Sequence, residues 1–337
     1  MIILTKRKVM QNKANNKKYC FDIVYEWEDI YARVLEANIK KRSDLEFKFD
    51  EVCRKIYKKK KLPLYRIFPI FDTRKNNIVF MYDAATKRQD GIYNSKKYVP
   101  CLIDYFLSEE DYPLFVNAYR RNQLVLVSSR EVYEYLLEKK CPLKLAHLPL
   151  SIPDNCLDFS ERYTKKYDLV LFARQNPLLM EYVDRYEETH GDFSLIRRKY
   201  EDGHYIYYES KTNKVISLGD TREDYWNLVK ASRVALYTTP GMDGTRQDAN
   251  GWNQVTPHFL EELAGQCHII ARYPENADTR WYQMDTICDC VQSYEEFEQK
   301  MDSYRKLEVD LNKYANYLKK HVTSERAYRL KNIINNL

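Results

Sequence analysis

The chain has 337 residues, of which 44% are hydrophobic, and its net charge is +6. This length suits two domains of about 150–170 residues each, and the hydrophobic fraction can fill two cores. No run of about 18 consecutive apolar residues occurs, which excludes a transmembrane helix. The opening run Met1-Ile2-Ile3-Leu4 is also too short to predict a signal peptide.

The cysteines favour a reducing compartment. Eight of them are scattered along the chain, and only Cys288 and Cys290 are close in sequence. We interpret them as reduced thiols of a cytoplasmic protein, because no disulfide framework or zinc-ligand spacing is present.

The charge is unevenly distributed. Residues 1–160 contain 30 Lys and Arg against 21 Asp and Glu, whereas the remainder contains 25 against 28. A basic N-terminal half predicts an anionic partner, which could be the inner face of a membrane, a phospholipid-linked acceptor or nucleic acid. The alternative is a solvated basic face with no partner. Nucleic acid is disfavoured because no DNA- or RNA-binding motif accompanies the charge.

Short apolar runs rich in Val, Ile, Phe and Tyr alternate with helical patterns in the first half of the chain. This alternation is typical of a parallel α/β sheet. The predicted strands are Leu64–Phe71, Asn77–Tyr82, Cys101–Phe106, Leu124–Ser128 and Lys144–Leu148. The predicted helices are Trp27–Lys40, Phe47–Tyr57, Tyr112–Arg120 and Arg130–Lys139.

A second series of strands and helices follows. Its predicted strands are Tyr167–Phe172, His204–Glu209, Lys214–Leu218, Arg233–Tyr237, His268–Ala271 and Thr286–Cys290. Its predicted helices are Pro177–Thr189, Arg222–Lys230, Pro257–Gly265, Ser293–Tyr304 and Asp310–Ile334. A polar loop is predicted from Pro240 to Val255.

Pro149 and Pro153, with polar residues up to Lys166, indicate a linker between the two series. We therefore predict an α/β fold of two Rossmann-like domains that face each other across a cleft, because ligands of open α/β sheets bind beyond the carboxyl ends of the strands. The expected domains are residues 1–155 and 156–320, and the C-terminal helix end 321–337 is expected to pack back on the first.

The second half carries a more specific pattern. The strand Arg233–Tyr237 is followed by a long loop, by Val255-Thr256-Pro257-His258-Phe259-Leu260-Glu261-Glu262-Leu263-Ala264-Gly265, and by His268-Ile269-Ile270-Ala271. This order resembles the donor-binding C-terminal domain of GT-B glycosyltransferases of the group 1 type. With the segments Val125–Val132, Leu148–Pro153 and Leu169–Arg174, the resemblance covers residues 124–272.

The resemblance implies a metal-independent hexosyltransferase of bacterial-type surface polysaccharide synthesis. Such an enzyme transfers a sugar from a nucleotide-diphosphate donor to a glycan or lipid-linked acceptor. The donor is a substrate, and no cofactor or metal is expected. The location implied is cytoplasmic, at the inner face of the membrane if the basic half binds lipid. The alternative is a non-catalytic protein of the same fold that binds sugar nucleotides or glycans.

The donor site is expected at the start of the helix after the polar loop. A helix beginning at Thr256 and Pro257 directs free N–H groups and the positive end of its dipole toward a diphosphate. The family's matching glutamate accepts hydrogen bonds from ribose or sugar hydroxyls, a role that falls on Glu261. The alternative for Glu261 is an ordinary surface carboxylate, and Glu262 is expected to be its solvated neighbour.

Three further residues match donor-binding positions. Arg174, just past a strand end, matches the family's diphosphate-binding arginine, whose planar fork suits phosphate oxygens; the alternative is a salt-bridged surface arginine. His258 stands where the family often has arginine, and would either touch the sugar or phosphate or flank the cleft. Gly219 matches a tight turn near the base.

An inverting transfer also needs a base, which GT-B enzymes usually draw from the N-terminal domain. All six histidines lie at position 147 or later, which excludes a histidine base from the N-terminal domain apart from His147 beside the linker, so a carboxylate is left. Asp83 is the first candidate because it follows the strand Ile78–Tyr82, and Asp22 is the weaker one. The alternative for each is a turn-forming or capping Asp.

Three departures from the family put the stereochemistry and the phosphate contacts in question. Asn253 stands where retaining members have the first glutamate of E-x7-E. No lysine follows Arg174 within a few residues. The usual Ala-x-Gly reads Ala264-Gly265-Gln266, with the glycine one place early.

Overall fold

A computed structural model describes residues 1–8, 19–60, 79–85, 94–172 and 175–337 of the chain. They form two compact units. The first unit holds residues 1–8, 25–60, 79–85, 94–150 and 324–337, and the second holds residues 19–24, 151–172 and 175–323. Within these ranges, no helix combines the length and the apolarity that crossing a bilayer requires.

The first unit is built on a parallel sheet. In its described part six strands lie in the order β2-β1-β3-β4-β5-β6, and every neighbouring pair is parallel. The strands are β1 Ile2–Lys8, β2 Asn38–Arg42, β3 Val79–Ala85, β4 Tyr98–Tyr105, β5 Val125–Val127 and β6 Leu145–His147. The run Val99–Leu102 of β4 is buried without alternation, as expected of a parallel strand covered on both faces.

Five helices accompany this sheet among the described residues: α1 Tyr19–Val34, α2 Asp44–Lys60, α3 Tyr112–Tyr119, α4 Arg130–Glu138 and α11 Thr323–Asn335. The C-terminal helix α11 contacts the end of α1, because Lys331 Nζ donates to Val34 O at 3.2 Å and lies 3.2 Å from a carboxylate oxygen of Glu36.

The second unit is built on a mixed sheet. Its seven described strands lie in the order β10-β9-β8-β7-β11-β12-β13; β9 is antiparallel to both neighbours, and all other pairs are parallel. The strands are β7 Tyr167–Val170, β8 Leu195–Glu201, β9 His204–Glu209, β10 Val215–Leu218, β11 Ser232–Thr238, β12 His268–Arg272 and β13 Asp289–Cys290.

Six helices accompany the second sheet in the described ranges: α5 Pro177–Thr189, α6 Arg222–Ala231, α7 Pro257–Ala264, α8 Ala277–Trp281, α9 Tyr294–Tyr304 and α10 Leu311–Leu318. Local sequence explains where they begin. Asn176 accepts the amides of Leu178 and Leu179 ahead of α5, and Thr221 forms a capping box with Asp224 at the start of α6.

The predicted α/β fold is confirmed, with two sheets of mostly parallel strands flanked by helices. The predicted helix Trp27–Lys40 is wrong at both ends: α1 begins at Tyr19 and stops at Val34, because Glu36 takes a left-handed conformation (φ 52°) before strand β2. The predicted helix Asp310–Ile334 is two helices, separated by a 3₁₀ turn at Lys319–His321. The predicted strand Leu64–Phe71 lies outside the described residues.

Two neighbouring residues explain the displaced glycine of the Ala-x-Gly pattern. At Gly265, after α7, a Cβ would overlap the side chain of Val229 on α6, so close helix packing requires glycine there. The left-handed position is the next residue, Gln266 (φ 60°). Its buried side-chain amide accepts from Tyr163 N at 3.0 Å and donates to Glu161 O at 2.9 Å, which offsets the backbone cost.

Candidate functional site

Three helices of the second unit begin at one edge of its sheet. Strands β7, β10 and β11 point the same way and end at Val170, Leu218 and Thr238. Helices α5 and α6 begin a few residues after β7 and β10, and α7 begins after the longer loop of residues 239–256 that follows β11. This is the carboxyl edge, where open α/β sheets bind ligands and where helix N-termini favour anions. We call it the carboxyl edge of the second unit below.

The first turn of α7 offers fewer amides than the sequence predicts. The Thr256 N–H donates to Tyr237 Oη at 2.9 Å, Pro257 has no N–H, and the Phe259 N–H donates to Thr256 O at 3.2 Å. The amides of Thr256 and Phe259 are therefore engaged within the protein, and the binding of a diphosphate at the start of α7 stays a prediction.

Glu261 lies at the centre of a buried cluster beneath the start of α7. Glu261 is 1% exposed. Tyr225 Oη donates to Glu261 Oε2 at 3.0 Å, and His258 Nδ1 lies 3.2 Å from the same oxygen. Arg222 Nη1 lies 2.5 Å from the other carboxylate oxygen, Oε1. We call these four residues the Glu261 cluster; it joins α6 to α7.

The pKa values of the two adjacent glutamates are shifted in opposite directions. Burial alone would raise the pKa of Glu261, but the charges of Arg222 and His258 and their hydrogen bonds outweigh it and lower the pKa to about 2. Glu262 is also 1% exposed, and burial together with the Glu261 charge raises its pKa well above the usual range. The surroundings therefore favour the carboxylate form of Glu261 and the protonated form of Glu262. The expectation that Glu262 is solvated is wrong.

His258 is the most exposed member of the Glu261 cluster, with a side chain 30% exposed against 12% for Arg222. Its Nδ1 faces the Glu261 carboxylate and lies 3.0 Å from Tyr225 Oη. A carboxylate beside Nδ1 favours a proton on that nitrogen, which leaves Nε2 as the ring nitrogen that can contact a ligand. Behind the carboxylate, Arg222 packs over the rings of Tyr225 and Trp226, at 5.5 and 5.3 Å from their centroids.

A second polar cluster, which we call the Asp243 cluster, fixes the loop between β11 and α7. Arg272, at the end of β12, binds the Asp243 carboxylate through Nε and through Nη2, the latter at 3.1 Å. Asn176 Nδ2 donates to Asp243 Oδ2 at 2.8 Å. Asp243 takes a left-handed conformation (φ 49°), and these contacts hold it in place.

Asn253, at the place of the missing glutamate, has a structural role. Its side chain accepts from Thr239 Oγ1 at 2.7 Å and donates to Gly251 O at 2.8 Å, and the residue is 8% exposed. These bonds hold the other end of the same loop.

The remaining candidate residues fall in different places. Arg174 lies outside the described residues. Gly219 follows β10, and a Cβ there would overlap the ring of Tyr207, so packing alone accounts for this glycine. Asp83 does not follow its strand but lies within β3, opposite Leu102 of β4, because the strand continues to Ala85. Asp22 lies within helix α1.

Sequence reasoning missed four polar residues of this edge: Arg222, Tyr225, Asp243 and Arg272. The sequence around Arg222 and Tyr225 is typical of a solvent-exposed first turn of a helix. Their partner Glu261 is 36 or more residues away in the sequence. Asp243 and Arg272 are separated by 29 residues. No local spacing signals pairs of this kind.

Two cavities lie at opposite edges of the second sheet in the described part of the chain. One, of about 10 Å³, lies at the carboxyl edge and is lined by residues that include Gln175, Asn176, Tyr237 and Thr238; it has room for about one water. The other, of about 210 Å³, is lined by residues that include His268, Asp289 and Lys313 at the opposite, amino edge. Among the described residues no group of His, Cys, Asp and Glu is placed to hold a metal ion.

No protein-family model matches the chain, and no curated protein sequence matches it. The chain is similar at low identity to solved structures, among them the following three. A putative UDP-N-acetylglucosamine 2-epimerase from Listeria monocytogenes is 9% identical, with a TM-score of 0.48 over 98% of this chain and 94% of that one. AviGT4, a glycosyltransferase involved in avilamycin A biosynthesis, is 8% identical, with a TM-score of 0.48 over 98% and 95%.

The third, the GtfA/B complex, is 11% identical, with a TM-score of 0.47 over 78% of this chain; the chain spans 58% of the matched chain. At these scores the similarities carry no argument about activity. We therefore infer the function from the residues of the carboxyl edge.

Proposed function

We propose that the chain is a GT-B glycosyltransferase that binds a nucleotide-diphosphate sugar at the carboxyl edge of the second unit. The observation that carries this proposal is the placement of His258. It stands at the start of α7, 30% exposed, with Nδ1 held by a buried carboxylate. A ring held in this way directs one nitrogen to a ligand, next to the positive end of a helix dipole.

The chemistry required of such a site is stabilisation of the departing phosphate. Sugar transfer breaks the bond between the anomeric carbon and a diphosphate oxygen, and negative charge grows on that oxygen. Nε2 of His258 can donate a hydrogen bond to that oxygen when both ring nitrogens carry a proton. Glu261 then acts as a positioning residue, because its carboxylate is turned inward onto Arg222, Tyr225 and His258 rather than toward a ribose.

The acceptor side of the proposal rests on the sequence. The basic N-terminal half supports a lipid-linked or glycan acceptor, as in surface polysaccharide synthesis without a metal. Asp83 and Asp22 are the proposed candidates for the base that takes the acceptor's proton. Replacement of the true base by Asn should lower kcat by about 100-fold or more and leave donor binding unchanged.

The test is a donor panel. The full chain is screened by thermal shift against UDP-, GDP- and ADP-sugars and the free nucleotides, since a ligand at about 100 times its Kd adds roughly 2.7 kcal/mol of stability. Calorimetry then compares wild type with His258→Ala and with His268→Ala, a histidine at the amino edge of the same sheet. We expect weaker donor binding in His258→Ala only, and transferred sugar detectable by mass spectrometry.

Two results would contradict the proposal. One is the absence of nucleotide binding across the panel. The other is donor binding that is equally strong in wild type and His258→Ala, because the site would then lie elsewhere. Conversion of the donor to an isomer without any transferred sugar would keep the binding site but exclude the transferase activity.

A second candidate function is a binding protein without catalysis. It is favoured by Asn253, an amide committed to the bonds with Thr239 and Gly251 where retaining enzymes carry a carboxylate. This candidate predicts donor binding by calorimetry with neither hydrolysis nor transfer. Any transferred sugar detected with purified chain would exclude it.

A further inference from the structure

Helix α2 carries an apolar stripe that faces solvent. Leu45, Phe49 and Val52 are spaced four and three residues apart, which places them on one face of the helix. They are 77%, 40% and 51% exposed, and half-buried Ile56 continues the stripe. The packed side of α2 is elsewhere, since Cys53 is completely buried. The stripe is therefore not part of the core.

Lysines flank this stripe along one side. Lys48, Lys55 and Lys59 are all exposed and are spaced seven and four residues apart, so they follow the same helical repeat. Lys55 forms an exposed ion pair with Glu51 at 2.7 Å, with side chains 69% and 64% exposed. A pair this exposed contributes little and exchanges partners easily.

The basic surface continues beyond the helix. Lys40 and Lys41 are exposed on β2, which is the strand at the edge of the described sheet. This strand ends at Arg42, two positions before the start of α2 at Asp44. Two acidic residues, Asp44 and Glu46, adjoin Leu45 at the start of the stripe. Glu46 is occupied, because it accepts from Ser43 N at 2.6 Å and from Ser43 Oγ at 3.1 Å in a capping contact.

We propose that α2 docks this unit on an anionic lipid surface, with Leu45, Phe49 and Val52 entering the boundary between headgroups and acyl chains. Lys48, Lys55 and Lys59 then reach the lipid phosphates while their methylene stems cover apolar surface. The charge complementarity selects this occupant, because an apolar stripe beside a row of lysines is the arrangement that headgroup phosphates match. The proposal concerns a partner of the first unit and does not depend on donor binding.

The test is co-sedimentation of the full chain with vesicles. Phosphatidylcholine vesicles with and without about 30% phosphatidylglycerol are compared at low and at physiological salt. We expect binding to the anionic vesicles only, weakened by salt. The combined Lys48→Gln, Lys55→Gln and Lys59→Gln variant should bind about 100-fold more weakly, at roughly fivefold per lysine. The combined Leu45→Ser, Phe49→Ser and Val52→Ser variant should not bind.

Matched controls come from the same unit. Leu114 and Leu137 are 57% and 51% exposed on other helices, so Leu114→Ser with Leu137→Ser removes exposed apolar area outside the stripe. Lys96→Gln, Lys140→Gln and Lys144→Gln together remove the same charge from exposed sites elsewhere. Both controls should bind anionic vesicles within about twofold of wild type, because the replaced residues do not contact the vesicle. Donor binding measured by calorimetry should be unchanged in every variant.

Three results would overturn the proposal. The first is the absence of wild-type binding to anionic vesicles. The second is binding that the control charge variant loses as much as the α2 variant does, because the effect would then be net charge alone. The third is a wild-type dimer in light scattering that the stripe variant converts to a monomer, without vesicle binding, because the occupant would then be a second copy of the chain.

Discussion

Replacing Glu261 by glutamine should destabilise the second unit markedly at neutral pH. Glutamine keeps the size of the side chain but removes the charge that faces Arg222 at 2.5 Å and His258 at 3.2 Å. The Arg222 side chain is 12% exposed, so the substitution leaves a largely buried guanidinium without its carboxylate. Breaking a buried pair from one side typically costs about 3–5 kcal/mol.

The pKa of Glu261 gives a consistent magnitude. A decrease from 4.5 to about 2 in a residue 1% exposed corresponds to about 3 kcal/mol, at about 1.4 kcal/mol per tenfold change in proton affinity. Because the folded state binds this proton more weakly than the unfolded chain does, the stabilisation is fully present above pH 4.5. It is lost as the pH falls through about 2.

Native-state hydrogen exchange of peptides from α7 measures the opening free energy of this part of the chain. Between wild type and Glu261→Gln we expect a difference of about 3 kcal/mol at pH 7 that shrinks as the pH falls below about 4.5. The variant Arg222→Met with Glu261→Gln should cost less than the sum of its single changes, because the unpaired charge is gone. A Glu261→Gln effect below about 0.5 kcal/mol, or full additivity in the double variant, would refute the buried pair.

Two further substitutions test packing and loop fixation. Gly265→Ala should destabilise by about 1–3 kcal/mol because its Cβ overlaps Val229, whereas Gly191→Ala, with open space around it, should change little; urea unfolding of the two variants decides this. Asp243→Asn should remove the charged partner of Arg272 and increase hydrogen exchange in residues 239–251, and unchanged exchange there would show that the Asp243 cluster does not hold the loop.

The sequence predicts elements well where local chemistry marks their ends. Helix α5 has the predicted bounds, Pro177–Thr189, because Asn176 and Pro177 specify its start. Strand β8, Leu195–Glu201, was not predicted, since only its first two residues are buried and the rest is charged or exposed. Its place in the sheet comes from pairing with β7 and β9, which no local pattern contains.

The candidate site, too, could be predicted only in part from the sequence. The position of Glu261 on the helix after the polar loop follows from the motif, but the direction of its carboxylate does not. That direction is set by Arg222 and Tyr225 on α6, which tertiary packing brings to within 3.0 Å. Asp83 was expected beyond a strand end because its neighbours Ala84 and Ala85 give no signal of a strand that continues. Strand ends depend on pairing with β4 as much as on composition.

The most direct test of the central claim is a hydrogen-exchange difference map of the chain with and without a saturating nucleotide-diphosphate sugar. Donor binding at the carboxyl edge of the second unit predicts slower exchange at residues 256–260, at the start of α7. Residues 265–268, at the amino edge of the same sheet, should exchange at an unchanged rate. Protection confined to the amino edge, or absent from residues 256–260 at saturation, would contradict the account.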